Sequence, residues 1–320
     1  MKEFTFAMIT YNQEKYVLEH LESIKFQILN FGKNYKISFI LGDDASKDKT
    51  VEVIKQWLNC NNELFENIEI LPADKNVGIV KNVIRTLQCI KTNEYKLLAG
   101  DDLYFKNNIF ELYGIKEFIL TPLLMFSGLS NKVIQRDRGA IVKYKIYLLN
   151  DKKNKLFDYI KKYQKYVNTI EAPAVFMKHS LIDNKFYDVL SEYKWIEDVP
   201  MWNYLFYMRG ANMSVSFYEK PLVLYRCDVG ISTNKEHDRR SLFEEDLIKI
   251  EEKIYKKDFC GKRVSKLMHS LEKRKVKFLY DSDKEIKNFE EAIRENEDEV
   301  NDYLKYIDGK VKEYKMMLHN

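Results

Sequence analysis

Three pairs of neighbouring acids stand where apolar stretches end. Asp43-Asp44 follows ISFILG, Asp101-Asp102 follows KLLAG, and Glu197-Asp198 follows the aromatic stretch YKWI. Like-charged carboxylates held side by side repel unless a cation stands between or beside them. Mg2+ and Mn2+ take oxygen ligands and are commonly held by one or two carboxylates together with phosphate oxygens. Such an ion stabilises the charge that grows on a departing diphosphate. A carboxylate can also take the proton from an attacking hydroxyl, because it is ionised at neutral pH. Each pair has a purely structural reading too. Asp43-Asp44 leads into ASKDKT, where Ser46 or Asp48 would cap a helix. Gly100-Asp101-Asp102 is good turn chemistry. Asp198, with Pro200 two residues on, makes a well-formed helix start, a role compatible with a chemical one.

Other polar residues fall beside these pairs. Tyr11-Asn12 ends the first apolar run, and Tyr11 could stack on a planar base. Asn76, Gly78, Lys81, Asn82 and Arg85 surround a predicted helix start, whose free N–H groups attract a diphosphate. Lys81 is the best placed for that contact; Arg85, a turn further on, is expected to pair with a surface acid. Arg226 has two open readings, a diphosphate contact or a surface ion pair. His179 has no partner His or Cys at metal spacing and reads as a satisfied polar histidine.

The elements that would position these residues follow from hydrophobic spacing. Short apolar runs at 4–9, 37–41, 68–71 and 95–99 predict strands, and helical spacing at 14–27, 50–58 and 77–90 predicts the segments between them. Alternation at this spacing means βαβ units and a parallel sheet. Ligands of such sheets sit beyond the carboxyl ends of the strands. Further strands are expected at 125–129, 140–149, 174–178 and 215–225, with a helix at 201–208 and an exposed Lys-rich loop or helix at 152–165.

Four stretches, ITYNQEKY (9–16), LGDDASKDKT (41–50), NVGIVKN (76–82) and LLAGDDLYF (97–105), resemble the family 2 glycosyltransferases. WIEDVPMW (195–202) and LYRCDVGIST (224–233) are similar to that family's later acidic and Tyr-Arg motifs. The resemblance implies a GT-A, Rossmann-like α/β fold with a mostly parallel sheet flanked by helices. It would cover residues 1–235, with a nucleotide-binding half at 1–105, an acceptor half at 106–235, and a helical extension at 236–320. It implies that Thr10, Tyr11, Asn12, Glu14, Asp43, Asp44, Asn76, Gly78, Lys81, Asp101, Asp102 and Arg226 bind the nucleotide sugar. Asp44 would accept from the uracil imide. Asp102, with Asp101, would hold Mn2+ or Mg2+ as a DxD variant in which Gly100 replaces the first acid. Asp198 would be the catalytic base of an inverting transfer from a UDP-sugar or dTDP-sugar. The acceptor would be a glycan or lipid-linked glycan in surface polysaccharide synthesis. The competing class is a sugar nucleotidyltransferase or a non-catalytic binding module on the same fold. The first turn, TYNQEKY, lacks the Gly-rich loop of the former.

Composition narrows the partners. A net charge of +4 on 320 residues is too mild for a dedicated nucleic-acid binder. The four cysteines form no CxxC, which points to reduced thiols in a cytoplasmic protein. No apolar run is long enough to span a bilayer, so membrane contact would be peripheral, at the inner face of the plasma membrane. The tail carries nine basic and two acidic residues in 256–277, then ten acidic and three basic in 281–302. Helices of opposite sign packed together are the favoured reading, with Phe259, Val264, Leu267, Leu271 and Phe278 as helix core. A membrane-facing basic helix and a homodimer through the tail are the others.

Overall fold

Four strands carry the predicted acids to one edge. β1 (Lys2–Thr10), β2 (Tyr35–Asp43), β3 (Asn67–Pro72) and β4 (Tyr95–Ala99) pair in the order β3-β2-β1-β4, all parallel. Helices α1 (Val17–Phe31), α2 (Thr50–Cys60) and α3 (Ile79–Cys89) make the crossovers. Thr10 lies opposite Asp43 and Ile9 opposite Ala99. The turns after β1, β2 and β4 therefore leave the sheet side by side. Phe6, Met8, Phe39 and Leu41 on one face and Ala7 and Ile40 on the other are all buried, as required of strands covered on both faces. This is a computed structural model, and it describes residues 1–136, 138–230, 239–280, 288, 291 and 296–318.

The second half builds two smaller sheets. β5 (Leu103–Tyr104), β7 (Leu123–Ser127), β8 (Val133–Ile134) and β11 (Val223–Cys227) pair in the order β5-β11-β7-β8. β6 (Phe118–Leu120), β9 (Val175–Met177) and β10 (Val215–Phe217) form the other, with β6 central. A bridge from Glu94 to Lys178 joins this sheet to the start of β4.

Two expectations for this half need correction, and a third, the Lys-rich helix, is met with one of its faces buried. Residues 140–149 are not a strand but part of α4 (Arg138–Lys152). Ile141, Val142, Tyr144, Ile146, Tyr147 and Leu148 are all buried, and so is Lys145, so the helix is covered nearly all round and shows no amphipathic period. The strand expected at 215–225 is two, β10 and β11, in different sheets. Pro221 separates them, and proline cannot donate to a ladder. The 152–165 stretch contains α5 (Leu156–Gln164), which turns Leu156, Tyr159, Ile160 and Tyr163 inward and leaves Lys161 and Lys162 exposed. Next come α6 (Asn184–Ser191) and α7 (Asp198–Asn203), the latter running on as a wider π-type turn through Met208.

The tail contains α8 (Arg239–Lys249), α9 (Phe259–Tyr280) and α10 (Asn296–Leu318). α9 packs on α4 and α5, whereas α10 packs on α1. The boundary expected at 235–236, the end of the Tyr-Arg motif and most of the acidic stretch 281–295 lie outside the described residues. The five apolar residues of α9 expected as helix core are not core, although Val276 packs against it. Phe259, Val264, Leu267, Leu271 and Phe278 face solvent, and the inward face carries His269 instead. α10 does reach core: Val300, Tyr303 and Ile307 are buried with Leu103, Phe105, Leu124 and Phe126. The Tyr303 hydroxyl donates to the Tyr104 carbonyl at 2.9 Å.

Ile307→Ala should therefore cost about 2–5 kcal/mol in urea unfolding, as for other buried aliphatics. Met316→Ala, on the exposed side of the same helix, should change stability by less than about 0.5 kcal/mol. Equal losses at the two positions would remove α10 from the core.

Candidate active site

The turns after β1 and β2 clasp each other. Asn12, with φ of 53°, donates its amide to Ser46 Oγ and accepts at its Oδ1 from the Lys47 amide, both at 2.8 Å. The Glu14 carboxylate accepts from the Lys49 amide, and the Asp48 carboxylate accepts from the Glu14 amide. Asp48 also takes the Thr50 amide at the start of α2, the capping role expected of Ser46 or Asp48. Asp43 accepts from the Thr10 hydroxyl at 2.9 Å and from the Ser46 amide and hydroxyl. Thr10, Asn12, Glu14 and Asp43 thus build the rim. Tyr11 is half-buried on it.

Asp44 reaches across to the next turn. Its two oxygens accept from the amides of Val77 and Gly78, at 2.7 and 3.0 Å. Each oxygen keeps a further lone pair for another donor. Gly78, with φ of +92°, is needed here, because a Cβ would lie 2.8 Å from the Lys194 carbonyl. Lys81, on the first turn of α3, and Asn76 are exposed beside it.

Asp101 and Asp102 follow β4, almost wholly buried. Burial raises the proton affinity of both carboxyls, and that of Asp102 is raised further by Asp101. Asp102 Oδ1 accepts the Arg226 amide at 2.9 Å, and the Asp102 carbonyl meets His20 Nδ1 at 2.7 Å. Burial lowers the His20 pKa to about 4, so its ring is neutral at pH 7. Lys96, buried beneath the pair, donates to the carbonyls of Pro173 and Val175. Its pKa falls to about 7, chiefly through burial. A Cβ at Gly100 would meet side-chain atoms of Met8, Thr10 and Gln13 within 2.8 Å, so a larger residue there would require those side chains to move.

Two adjacent carboxyls with raised affinity for protons also suit another cation. Among the described residues no group of three His, Cys, Asp or Glu side chains forms a metal cage. The donor set fits the sparse arrangement in which one or two carboxylates hold Mg2+ or Mn2+ and phosphate supplies the rest.

Glu197-Asp198 opens α7. Asp198 Oδ1 accepts the Val199 amide at 2.7 Å and Oδ2 accepts from Asn168 at 3.0 Å. Burial raises the Asp198 pKa; burial and the Asp198 charge push Glu197 up to about 8. The residues just before are gripped from α8. Asp246, 1 % exposed, accepts the amides of Lys194, Trp195 and Ile196, with the Trp195 bond at 2.6 Å. Lys249 adds a bond to the Glu192 carbonyl. The Lys194 carbonyl in turn accepts from the Val80 amide at 3.2 Å. A continuous path of hydrogen bonds and chain thus runs from Asp44 through Gly78, Val80 and Lys194 to Asp198.

Two arginines differ from expectation. Arg85 does not pair with a surface acid; it donates to the carbonyls of Asp43 and Leu71 and so pins the ends of β2 and β3. Arg226 is 2 % exposed. It pairs with Glu19, donates to the Asp101 carbonyl, and lies over the Tyr16 and Phe126 rings. The ion pair is real, but the arginine is buried and its acid half-buried. His179 bonds the Leu87 carbonyl, as a satisfied histidine should. Sequence reading passed over Gln13, Glu19, His20, Lys96, Asn168 and Asp246. Only Lys96 carried a signal, a lone charge within an apolar strand.

The fold and these residues define an α/β protein whose candidate site lies at the carboxyl edge of a parallel sheet. The sequence profile of Glycosyl transferase family 2 matches residues 5–178, more than half of the chain, and the chain belongs to that family. No curated protein sequence matches the chain closely enough to count as a relative. Among solved structures, S. aureus TarS 1-349 in complex with UDP is 18% identical, with a TM-score of 0.49 over 79% of this chain and 72% of that one. TarS 1-349 in complex with UDP-GlcNAc gives 18% and 0.49, over 78% and 66%. The chain spans 44% of the longer S. aureus TarS structure.

Asp246→Ala leaves three amides without their acceptor, and an unsatisfied buried group costs about 1–3 kcal/mol. We expect a loss of at least about 2 kcal/mol in urea unfolding and a slower reaction. An unchanged unfolding midpoint would show that the 194–196 turn holds itself.

Proposed function

We propose that this glycosyltransferase is inverting, and that it moves a sugar from a UDP-sugar or dTDP-sugar to a hydroxyl of a glycan or lipid-linked glycan in surface polysaccharide synthesis. The observation that carries the reading is one bonded path that joins the acid after β2 to the acid that opens α7, at the same sheet edge where the acids after β4 emerge. Asp198 takes the acceptor hydroxyl proton on its carboxylate. The freed oxygen lone pair attacks the anomeric carbon from the face opposite the donor bond. That carbon–oxygen bond breaks, and the nucleoside diphosphate leaves with its electron pair. Val199 and Asn168 hold the two carboxylate oxygens in place. Glu197, with its pKa near 8, keeps its proton at neutral pH, so the pair carries a single charge.

On the donor side, Asp44 offers its remaining lone pairs to a uracil or thymine imide, and Tyr11 stacks on the base. Lys81, exposed on the first turn of α3, faces the diphosphate. Asp101 and Asp102 would hold Mn2+ or Mg2+, which when bound supplies Lewis-acid stabilisation of the departing diphosphate. Arg226 acts by fixing Asp101 and Asp102 rather than by touching the donor. We place the reaction in the cytoplasm, where nucleotide sugars are made.

Asp198→Asn should lower transfer about 100-fold or more while UDP with Mn2+ still raises the melting temperature. Near-normal turnover would remove Asp198 as the base. Because the Asp198 pKa is raised, its proton-accepting form is lost at higher pH than for an ordinary aspartate. The wild-type rate should therefore fall on acidification with a midpoint above about pH 4. A midpoint below that would contradict the buried environment.

A further inference from the structure

α9 has a face that none of the other described residues covers. Its inward side is well anchored: His269 Nδ1 meets the Tyr159 hydroxyl at 3.1 Å, Glu272 pairs with Lys162, and Lys262 pairs with Glu251. On the outward side Val264, Leu267, Leu271 and Phe278 recur at spacings of three, four and seven and form one stripe. They are 59%, 60%, 46% and 85% exposed. Exposed Arg263, Lys266, Arg274 and Lys277 run along one border of that stripe, with Lys275 on the other. Residues 259–280 contain seven lysines and arginines and a single acid, Glu272, which is turned inward to Lys162.

A helix that is anchored on one side and exposes leucines and a phenylalanine between basic side chains fits a surface of matching character. That surface must be apolar at depth and anionic at its boundary. A bilayer rich in anionic lipid has both properties: the apolar stripe sinks to the acyl boundary, and the lysines and arginines stay among the headgroups. No helix among the described residues is long and apolar enough to cross a membrane, so the contact would lie in the interface plane. We propose that the outward face of α9 is a docking surface for anionic lipid bilayers. The inference rests on the packing and exposure of α9 and is independent of the transfer reading.

The test is co-sedimentation of the full chain with vesicles, without donor or acceptor. One set contains phosphatidylglycerol with phosphatidylcholine, the other phosphatidylcholine alone. Binding is expected to the first set only, and high salt should weaken it, because surface charge attraction is screened. Each basic residue near an anionic surface strengthens binding roughly fivefold. Arg263→Glu with Arg274→Glu should therefore weaken binding at least about tenfold, and Leu267→Glu with Leu271→Glu should do likewise by removing the buried stripe. Both pairs are exposed, so the melting temperature should stay at the wild-type value; that measurement separates lost docking from lost folding. Equal binding by wild type and variants overturns the proposal. So does a chain that stays off both vesicle types, whether a second copy covers the face, seen as twice the monomer mass in light scattering, or its own acidic stretch does. Loss of transfer with vesicle binding intact would count against the proposed reaction and leave the docking face standing.

Discussion

The site depends on one buried guanidinium. Arg226 sits in β11, far along the chain from β4, yet it bonds the Asp101 carbonyl with its side chain and the Asp102 carboxylate with its amide. Its charge is matched by Glu19 on α1 and its faces are covered by Tyr16 and Phe126. A buried cation with this many partners is costly to strand. It therefore fixes β4, β11 and α1 in one arrangement, and its charge offsets part of the repulsion between two neighbouring acids.

The second constraint comes from the sheet. Because β1, β2 and β4 are parallel and in close register, their acids cannot disperse to different edges. The turns that carry them are then locked by side chains reaching between loops, Asn12 to Lys47 and Glu14 to Lys49. Much of the ordering needed to receive a ligand at this edge is already present in the free chain, which lowers the entropic cost of binding.

How much was legible follows from the kind of signal each element carries. β1 to β4 were readable because strands buried on both faces appear as unbroken apolar runs. α4 was not, for a related reason: a helix buried all round has no polar face, and its β-branched and aromatic residues resemble a strand. The acid pairs at 43–44, 101–102 and 197–198 were visible as residue types at strand and helix ends. Their partners were not. Nothing near Asp246 announces that its carboxylate will hold three amides about fifty residues upstream. The sequence leaves Arg226 open between a diphosphate contact and a surface ion pair, because Glu19, more than two hundred positions away, gives no local hint. The exposed stripe of α9 was read as core because apolar spacing reports a helix face, not what covers it.

The contact of Tyr303 with Tyr104 spans 199 positions of sequence. Until α10 has been synthesised, Leu103, Phe105, Leu124 and Phe126 lack part of their cover. A nascent chain that already holds every acid of the site would still present a sticky apolar face to its surroundings. Loops this long close slowly, so this wait is a window in which chaperones or proteases compete with folding.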